Sequence, residues 1–370
     1  MATTQYRYLF ADLVTNQILA ELPLTGVSFT QQLNTSGGFT GHLLLSGVDA
    51  AGLNVSTGTI PGRTAIYVDR NGVLVWGGVL WSREYSSKNQ TLTFQAREFM
   101  SYFERRRITA TTVFTNTDQL QIAQSIMSTS QGVSSGNIQI LYNQDPGASS
   151  TSGVLVSRTY YGYEYKTVYS AIQDLSKQAS GFDFEISVYY DGTGTPTKSF
   201  NTYYPRAGTA YSNTSLKVPV FELPSGNIIE YTYPEDASIA ANMLYVLGAG
   251  SNEGKLIAAS SDTTKLSSGW PLLEDQANYS DITDANMLAS LAVGQVTAVS
   301  YPPTTIKLVA PPYQDPVFGT YELGDDVRLR IRDNRFPTGL DGVYRIVALS
   351  VTAGEDGPER ITLTLTTGSI

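Results

Sequence analysis

Few residues of this 370-residue chain could take part in covalent chemistry. A nucleophile–imidazole–carboxylate relay needs a histidine to carry the proton. His42, in Gly41-His42-Leu43-Leu44-Leu45, is the single one, and beside an apolar strand it reads as a strand residue. With one histidine and no cysteine, thiolate catalysis, disulfide stapling and Cys- or multi-His zinc sites are excluded. Carboxylate pairs remain. Asp183 and Glu185 stand on one face of one alternating strand, about 6.5–7 Å apart by strand rise. Glycosidases use such pairs when a cleft raises the acid's pKa, yet alternating carboxylates are also what a solvent-facing strand shows. Asp325-Asp326 follows Gly324 at a strand start, where such pairs serve as turn chemistry. Asp69-Arg70-Asn71-Gly72 supplies too few oxygens for a calcium loop and reads as a hairpin turn. No Gly-x-Gly-x-x-Gly follows a strand, and there is no phosphate loop. The sequence therefore assigns no catalytic, cofactor-binding or metal residue, implies no cofactor, and reads as that of a non-enzyme.

Charge points the same way. The net charge is −9, and phosphate-bound proteins need clustered Lys and Arg. Arg105-Arg106-Arg107 is the only basic cluster, and it reads as a solvated or partner-facing strand end. Charged residues are 15% of the chain, against roughly 25% in a typical domain. That suits a chain which buries its surface against partners, or an extracellular β-protein. Tyrosine is abundant, 24 of 370, in the clusters Tyr160-Tyr161-Gly162-Tyr163, Tyr189-Tyr190 and Tyr203-Tyr204. Tyrosine is amphipathic and enriched at interfaces, so a subunit interface, a carbohydrate-binding face and plain strand positions all fit. No stretch approaches the roughly 18 apolar residues of a membrane span. The opening residues, Met1 to Arg7, lack a basic segment followed by an apolar run, so no secretory leader is expected.

The elements that would position these residues are mostly strands. Residues 64–68 and 73–76 alternate across the Asn71-Gly72 turn, Gly77-Gly78 interrupts, Val79-Leu80-Trp81 resumes, and residues 91–96 alternate again. Residues 1–108 are read as one β-barrel or sandwich. From Thr109 the period changes. Leu120, Ala123, Ile126 and Met127 share a helical face behind the N-cap candidate Thr117. Tyr165, Val168, Tyr169, Ile172, Leu175 and Ala179 mark a second helix, with Gly181 where a C′ glycine belongs. The alternating strand 182–188 follows, and the loop at 191–196 turns it back into residues 198–204. Residues 109–225 thus form an α+β insert, whose loop at 145–153 is expected to be mobile or ordered by a neighbour. Residues 226–370 return to β, with strands at 228–233, 243–248, 304–310, 343–351 and 360–366 and one helix within 281–295. Val327, Leu329 and Ile331 alternate with Arg328, Arg330 and Arg332, giving one buried and one cationic face.

Two stretches share an order of elements. An alternating strand, Asp69-Arg70-Asn71, Gly78-Val79-Leu80-Trp81, a polar turn and Thr91-Leu92-Thr93-Phe94 form the first. Residues 327–331, Arg332-Asp333-Asn334, Gly342-Val343-Tyr344-Arg345, a polar turn and Ile361-Thr362-Leu363-Thr364-Leu365 form the second. Residue matches are few and the turns are generic, so the comparison rests on the order.

Pro61-Gly62-Arg63-Thr64, Trp76-Gly77-Gly78-Val79-Leu80-Trp81, Thr91-Leu92-Thr93-Phe94-Gln95-Ala96-Arg97-Glu98 and Leu323-Gly324-Asp325-Asp326-Val327, in that order, resemble the tail-tip hub proteins of long-tailed phages. These belong to a wider class with contractile-phage baseplate hubs and secretion-system spikes. The resemblance implies a mainly β fold with two similar tail-tube-type β-barrels and intervening α+β domains. It further implies a homotrimer whose six barrels close onto a six-fold tail ring. Its partners would be the distal tail protein ring, the tape measure protein and other tail-tip proteins. DNA would pass through a central channel without specific binding, repelled by an acidic subunit. The site would be the virion tail tip, assembled in the host cytoplasm. Some members carry peptidoglycan-cleaving or fibre-like extensions, for which the segment after the last strand leaves no room. The alternatives are a receptor- or carbohydrate-binding β module using the tyrosine clusters, a glycosidase built on Asp183 and Glu185, and a tail-tube or distal-ring subunit.

Overall fold

Apolar and polar residues alternating at a period of two dictate most of the molecule. The computed structural model describes residues 4–45, 53–211, 218–224, 226–300, 305–354 and 358–367. The first barrel is built from β1 (Tyr6–Asp12), β2 (Ile18–Glu21), β3 (Thr25–Gln32), β4 (Gly38–Leu44), β5 (Thr64–Arg70), β6 (Val73–Ser86) and β7 (Thr91–Glu98). Two single-turn helices, α1 (Val55–Gly58) and α2 (Met100–Phe103), flank β5 to β7 in the chain. The β5–β6 turn is set by its residues: Asn71 and Gly72 take φ of 55° and 85°, and the Gly72 N–H donates to the Asp69 carboxylate at 2.7 Å. Positive φ at both central positions is the primed turn that matches strand twist. Trp76 fills the interior, stacked on Phe39 at 5.2 Å, with its indole N–H donating to the Thr30 carbonyl at 3.1 Å.

The second barrel uses β13 (Val220–Leu223), β14 (Glu230–Thr232), β18 (Ile306–Ala310), β19 (Asp326–Ile331), β20 (Leu340–Thr352) and β21 (Arg360–Thr367). The shared order of elements is a shared architecture. In each barrel a long middle strand forms hairpins with the strands before and after it. The pairing of β6 with β7 slips between Leu80 and Ser82, and that of β20 with β21 slips between Ile346 and Ala348. Gly62 (φ 77°) donates its N–H to the Leu80 carbonyl, and Gly324 (φ 88°) donates to that of Ile346, at 2.7 and 2.8 Å. The same bulge therefore carries the same glycine contact twice. This registers Leu80 on Ile346, two residues away from the Gly78–Gly342 match that the sequence suggests. The strand after each hairpin pairs alike, β7 with β4 and β21 with β18, and behind these lie β3 and β14. The barrels differ at one strand: β1 runs antiparallel to β5, whereas β13 runs parallel to β19.

Between the barrels lie β8 (Thr112–Asp118), α3 (Gln119–Gln131), β9 (Ile140–Tyr142), β10 (Leu155–Tyr160), α4 (Val168–Ser176), β11 (Asp183–Tyr190) and β12 (Pro196–Tyr203). Asp118, one residue after the expected Thr117, caps α3 by accepting the Leu120 N–H. Its second oxygen takes the N–H groups of Ser152 and Gly153, each at 2.7 Å. The 145–153 loop is thus held by its own chain, with Ser149 donating to the Thr202 carbonyl. The second helix starts later than its apolar spacing suggests, because Tyr165 takes a left-handed φ of 50° and Thr167 caps α4. Gly181 is not its C′ residue. A Cβ there would lie 1.9 Å from the Ser176 carbonyl oxygen, so close packing is what requires glycine.

A second inserted unit interrupts the second barrel between β14 and β18: β15 (Met243–Leu247), β16 (Ile257–Ser261), α5 (Thr263–Ser267), β17 (Glu274–Asn278) and α6 (Ala285–Val299). It shares one core with the first insert, where Leu244, Val246, Leu288 and Leu291 meet Ile172 and Leu175. Gly294 lets the α6 backbone approach the end of α4, since a Cβ would sit 2.4 Å from the Lys177 carbonyl oxygen. Asp281 receives both Arg158 and Lys166 across the same contact, and Lys166 also meets Asp174 at 2.6 Å. The joint layer covers the outer side of β1 and β5, where Leu9, Ala11, Ala65 and Tyr67 belong to its core.

Candidate functional site at the seam between the barrels

The two barrels are fused strand to strand. β3 pairs antiparallel with the second half of β20, Gln32 opposite Ala348 through Ser28 opposite Thr352. Thr30 and Ser350 join their hydroxyls across it at 2.6 Å. The barrels thereby become parts of one 13-stranded sheet. A second tie joins Arg70 of β5 to Glu359, bidentate at 2.8 and 2.9 Å, with the Tyr6 hydroxyl donating to the same carboxylate. The carboxyl group of Glu359 is buried, and these donors hold its pKa below the ordinary range.

Where the insert meets both barrels, a charge cluster locks the chain. Asp183, at the start of β11, accepts from the Asn34 side chain at 2.6 Å, the Ala207 N–H at 2.8 Å and the Arg345 guanidinium. Arg206 reaches Asp326 at 2.7 Å, and the Thr209 N–H donates to Asp325 at 2.7 Å. The returning segment from the insert is thus clamped onto Gly324-Asp325-Asp326. Nearby, burial raises the carboxyl pKa of Glu98 to about 8 and that of Glu185 to about 7. Glu98 accepts from the N–H groups of Gly37 and Gln32, and Glu185 from the Tyr203 hydroxyl. On the other side of the first barrel, Lys198 of β12 is fully buried over the Phe99 ring and donates to Asn16 at 3.0 Å. Burial lowers its pKa to about 7.

The fused sheet presents a hydroxyl- and amide-rich face opposite its core, with Glu84, Arg97, Glu230, Lys307 and Arg360 among its outward residues. Phe29, Phe39, Phe94, Leu349, Val351, Leu363 and Leu365 point inward. Between them, Ser28, Thr30, Thr40, Thr93, Gln95, Ser350, Thr352, Thr362 and Thr364 point the other way and are partly or fully exposed. Two strand edges flank this face. Residues 82–86 of β6 pair with β7 on one side, and β14 pairs with β18 on one side. Among the described residues, no strand pairs with the other side of either.

No family model matches this sequence, and no curated protein does. Solved structures do. The tail protein from Neisseria meningitidis MC58 is 11% identical, with a TM-score of 0.64 over 99% of this chain and 97% of that one. The 43 kDa tail protein of prophage MuSo2 from Shewanella oneidensis is 13% identical, with a TM-score of 0.59 over 99% and 98%. The chain has the fold of phage tail proteins. A chain of the half-lidded Francisella PdpA-VgrG complex shares it at 9% identity and a TM-score of 0.53, over 99% of this chain and 58% of that one. The resemblance to the tail-hub class is borne out at the level of fold, as is the mainly β architecture with paired barrels and α+β inserts.

The residues singled out for chemistry turn out to be structural fastenings. Asp183 and Glu185 sit inside the clamp and not in an open cleft. Asp325 and Asp326 hold the returning segment. His42 lies on β4, its Nδ1 3.0 Å from the Thr93 hydroxyl. The three arginines follow α2 and are not a strand end. Arg105 lies over Trp81, Arg106 donates to the Ser130 carbonyl, and Arg107 donates to that of Tyr165. Several tyrosines serve buried carboxylates, Tyr190 on Asp69 and Tyr203 on Glu185, while Tyr163 stays 72% exposed. Sequence reasoning missed Arg345, Arg206, Glu98 and Lys198. Nothing in their local spacing marks them, because each partner is distant in the chain.

Proposed function

We propose that this chain is a non-enzymatic structural hub of a phage tail tip. Three copies form a ring of six barrels, close the tail tube and join a six-fold distal tail ring to the other tip proteins. One observation carries the reading: a single polypeptide holds the same barrel twice, already joined strand to strand as neighbours in a ring would be. The hydroxyl- and amide-rich face becomes the wall of a central channel for tape measure protein and DNA. Its few charges are mixed in sign, Arg97, Lys307 and Arg360 beside Glu84 and Glu230, so it presents neither the clustered cations that bind phosphates nor the dense negative charge that the net −9 suggests. Assembly takes place in the host cytoplasm, and the ring ends in the virion. Asp183 and Glu185 are spent on holding the insert to both barrels, which supports a structural role over a hydrolytic one. Native mass spectrometry and averaged particle images test this. A trimer with six similar lobes is expected, and a monomer or two-fold dimer at assembly concentrations overturns it.

A second reading, a receptor- or carbohydrate-binding module, is favoured by the stacked pair Tyr161–Tyr163, 5.2 Å apart on the insert. Glycan-array binding that is lost in Tyr163→Ala, by a protein that stays monomeric, would prefer it.

A further inference from the structure

We propose that the seam between copies is a strand addition: β14 and the residues following it, 232–236, dock on residues 82–86 of β6 in the next copy. The proposal rests on the ring reading above and specifies its contact. The chain carries the template for this seam within itself. By the bulge register, residues 82–86 of β6 correspond to residues 348–352 of β20. By their pairing with β4 and β18, Ser28 of β3 corresponds to Thr232 of β14. Within one chain, β3 occupies the outer edge of residues 348–352. The corresponding edge of residues 82–86 has no strand on it among the described residues, and neither has the outer edge of β14. One chain thus offers one donor strand and one acceptor edge. Unpaired edges of this kind are templates for another chain.

The template also sets the register. Ser28 opposite Thr352 and Phe29 opposite Val351 become Thr232 opposite Ser86 and Tyr233 opposite Tyr85. Tyr85 is 54% exposed at that edge. Proline in this strand would ordinarily forbid pairing, and Pro234 takes the place of Thr30. In the template, Leu33 donates to the Val347 carbonyl and Ala353 to the Val27 carbonyl. Hydrogen-bonded and non-hydrogen-bonded pairs alternate, so Gln31 and Phe29 bond across the seam while Thr30 directs its N–H away from β20. Pro234 therefore removes a donor that the seam does not use, and Tyr233 and Glu235 supply those that it does. Because donor and acceptor are different surfaces, the contact is head-to-tail. It builds a closed ring and not a two-fold dimer.

Cysteine cross-linking tests this cleanly, since the chain has no cysteine of its own. Ser86→Cys with Thr232→Cys places thiols on a non-hydrogen-bonded pair, about 4.5 Å between Cα atoms and within disulfide reach. Mild oxidation should move most of the protein to two and three chain masses on non-reducing gels. Ser28→Cys with Thr352→Cys, the same position within one chain, should oxidise without a mass change and reports correct folding. Ser82→Cys with Thr232→Cys, out of register by about 13 Å, should stay unlinked. A native trimer in which the Ser86/Thr232 pair stays at one chain mass, while the Ser28/Thr352 pair oxidises, overturns the seam and leaves the ring standing. A protein that remains monomeric and unlinked overturns both.

Discussion

The two barrels share strand order, bulge and glycine contact, yet their corresponding strands live in different solvents. Every residue of β5 from Thr64 to Asp69 is buried, because the inserts cover its outer side while the barrel core takes its inner side. In β19, Val327, Leu329 and Ile331 are buried but Arg330 is exposed and Arg328 half-exposed. Those arginines pair with Asp341 and Glu222 at the surface, both at 2.7 Å. Tyr67 of β5 and Arg328 of β19 hold corresponding places, one facing Phe99 at 5.5 Å and the other facing water. A strand covered on both faces reads as a continuous apolar run and a strand covered on one face alternates. The contrast teaches that the inserts are built for the first barrel. Among the described residues, the inserts do not cover the side of β19 that carries Arg328 and Arg330, and the hub reading gives that side to neighbours.

Arg345 gives the sharpest way to break the comparison, since its counterpart in the first barrel is Val79. Val79 belongs to the apolar core beneath the insert. Arg345 instead reaches the insert through the buried Asp183. Removing one member of a buried ion pair strands the other, so Arg345→Met should destabilise by about 3–5 kcal/mol. Val79→Ala should cost about half as much, a cavity without a stranded charge. Urea unfolding measures both, and Asp183→Asn in the Arg345→Met background should restore a good part of the loss. Equal costs for the two single variants, with no restoration, would show that the second barrel is not held by charge.

Much of this was legible in sequence, for local reasons. The Asn71-Gly72 turn, the alternation of β19 and the apolar spacing of α4 and α6 all follow from residues within a turn or two of each other. The repeated order of strands was legible for the same reason, although its register was not. The bulge that sets it is a pairing event between distant strands. The clamp was invisible because Asp183, Ala207, Asn34 and Arg345 span most of the chain, and no spacing rule links them. The carboxylates were seen but not their surroundings: strand periodicity puts Asp183 and Glu185 on one face, as on a solvent-facing strand, but does not say that the face is covered. The tyrosines mislead in the same way, since a hydroxyl that satisfies a buried carboxylate and one that awaits a partner look alike in sequence.

The duplicated glycine contact sharpens the comparison further, with a smaller expected effect. Gly62 and Gly324 both have positive φ, but a Cβ on Gly62 would meet nothing within 4 Å, whereas one on Gly324 would lie 2.4 Å from the Ala207 carbonyl oxygen. Gly62→Ala should therefore cost only the left-handed backbone penalty, about 1 kcal/mol. Gly324→Ala adds the clash with the clamped segment and should cost about 3 kcal/mol. Thermal unfolding of the two variants separates them. Equal losses would mean that the clamp yields easily and the second barrel tolerates the insert's return at some distance.

The last contrast concerns pH, where the two attachments of the insert oppose each other. Under the first barrel's cover, Lys198 titrates near 7 in the folded chain, against roughly 10.4 when unfolded. The unfolded chain binds the extra proton between those values, so this group makes stability rise from about pH 7 towards 10. At the seam, Glu98 and Glu185 titrate near 8 and 7 when folded, against roughly 4.3 when unfolded. Here the folded chain binds the extra proton, and stability falls as pH rises from about 5 to 8. The sum is a minimum near pH 7–8. Lys198→Met removes the rising limb. It leaves the Asn16 amide oxygen satisfied by the Tyr67 hydroxyl at 2.6 Å, and should stabilise the chain by about 1–2 kcal/mol at pH 7. Glu98→Gln should flatten the falling limb and leave the rising one intact. Denaturant unfolding at pH 5.5, 7.5 and 9.5 reads both limbs. A parent profile that climbs steadily from 5.5 to 9.5 would mean that the seam carboxyls are ionised when folded, and that the seam is as well hydrated as the insert contact is dry.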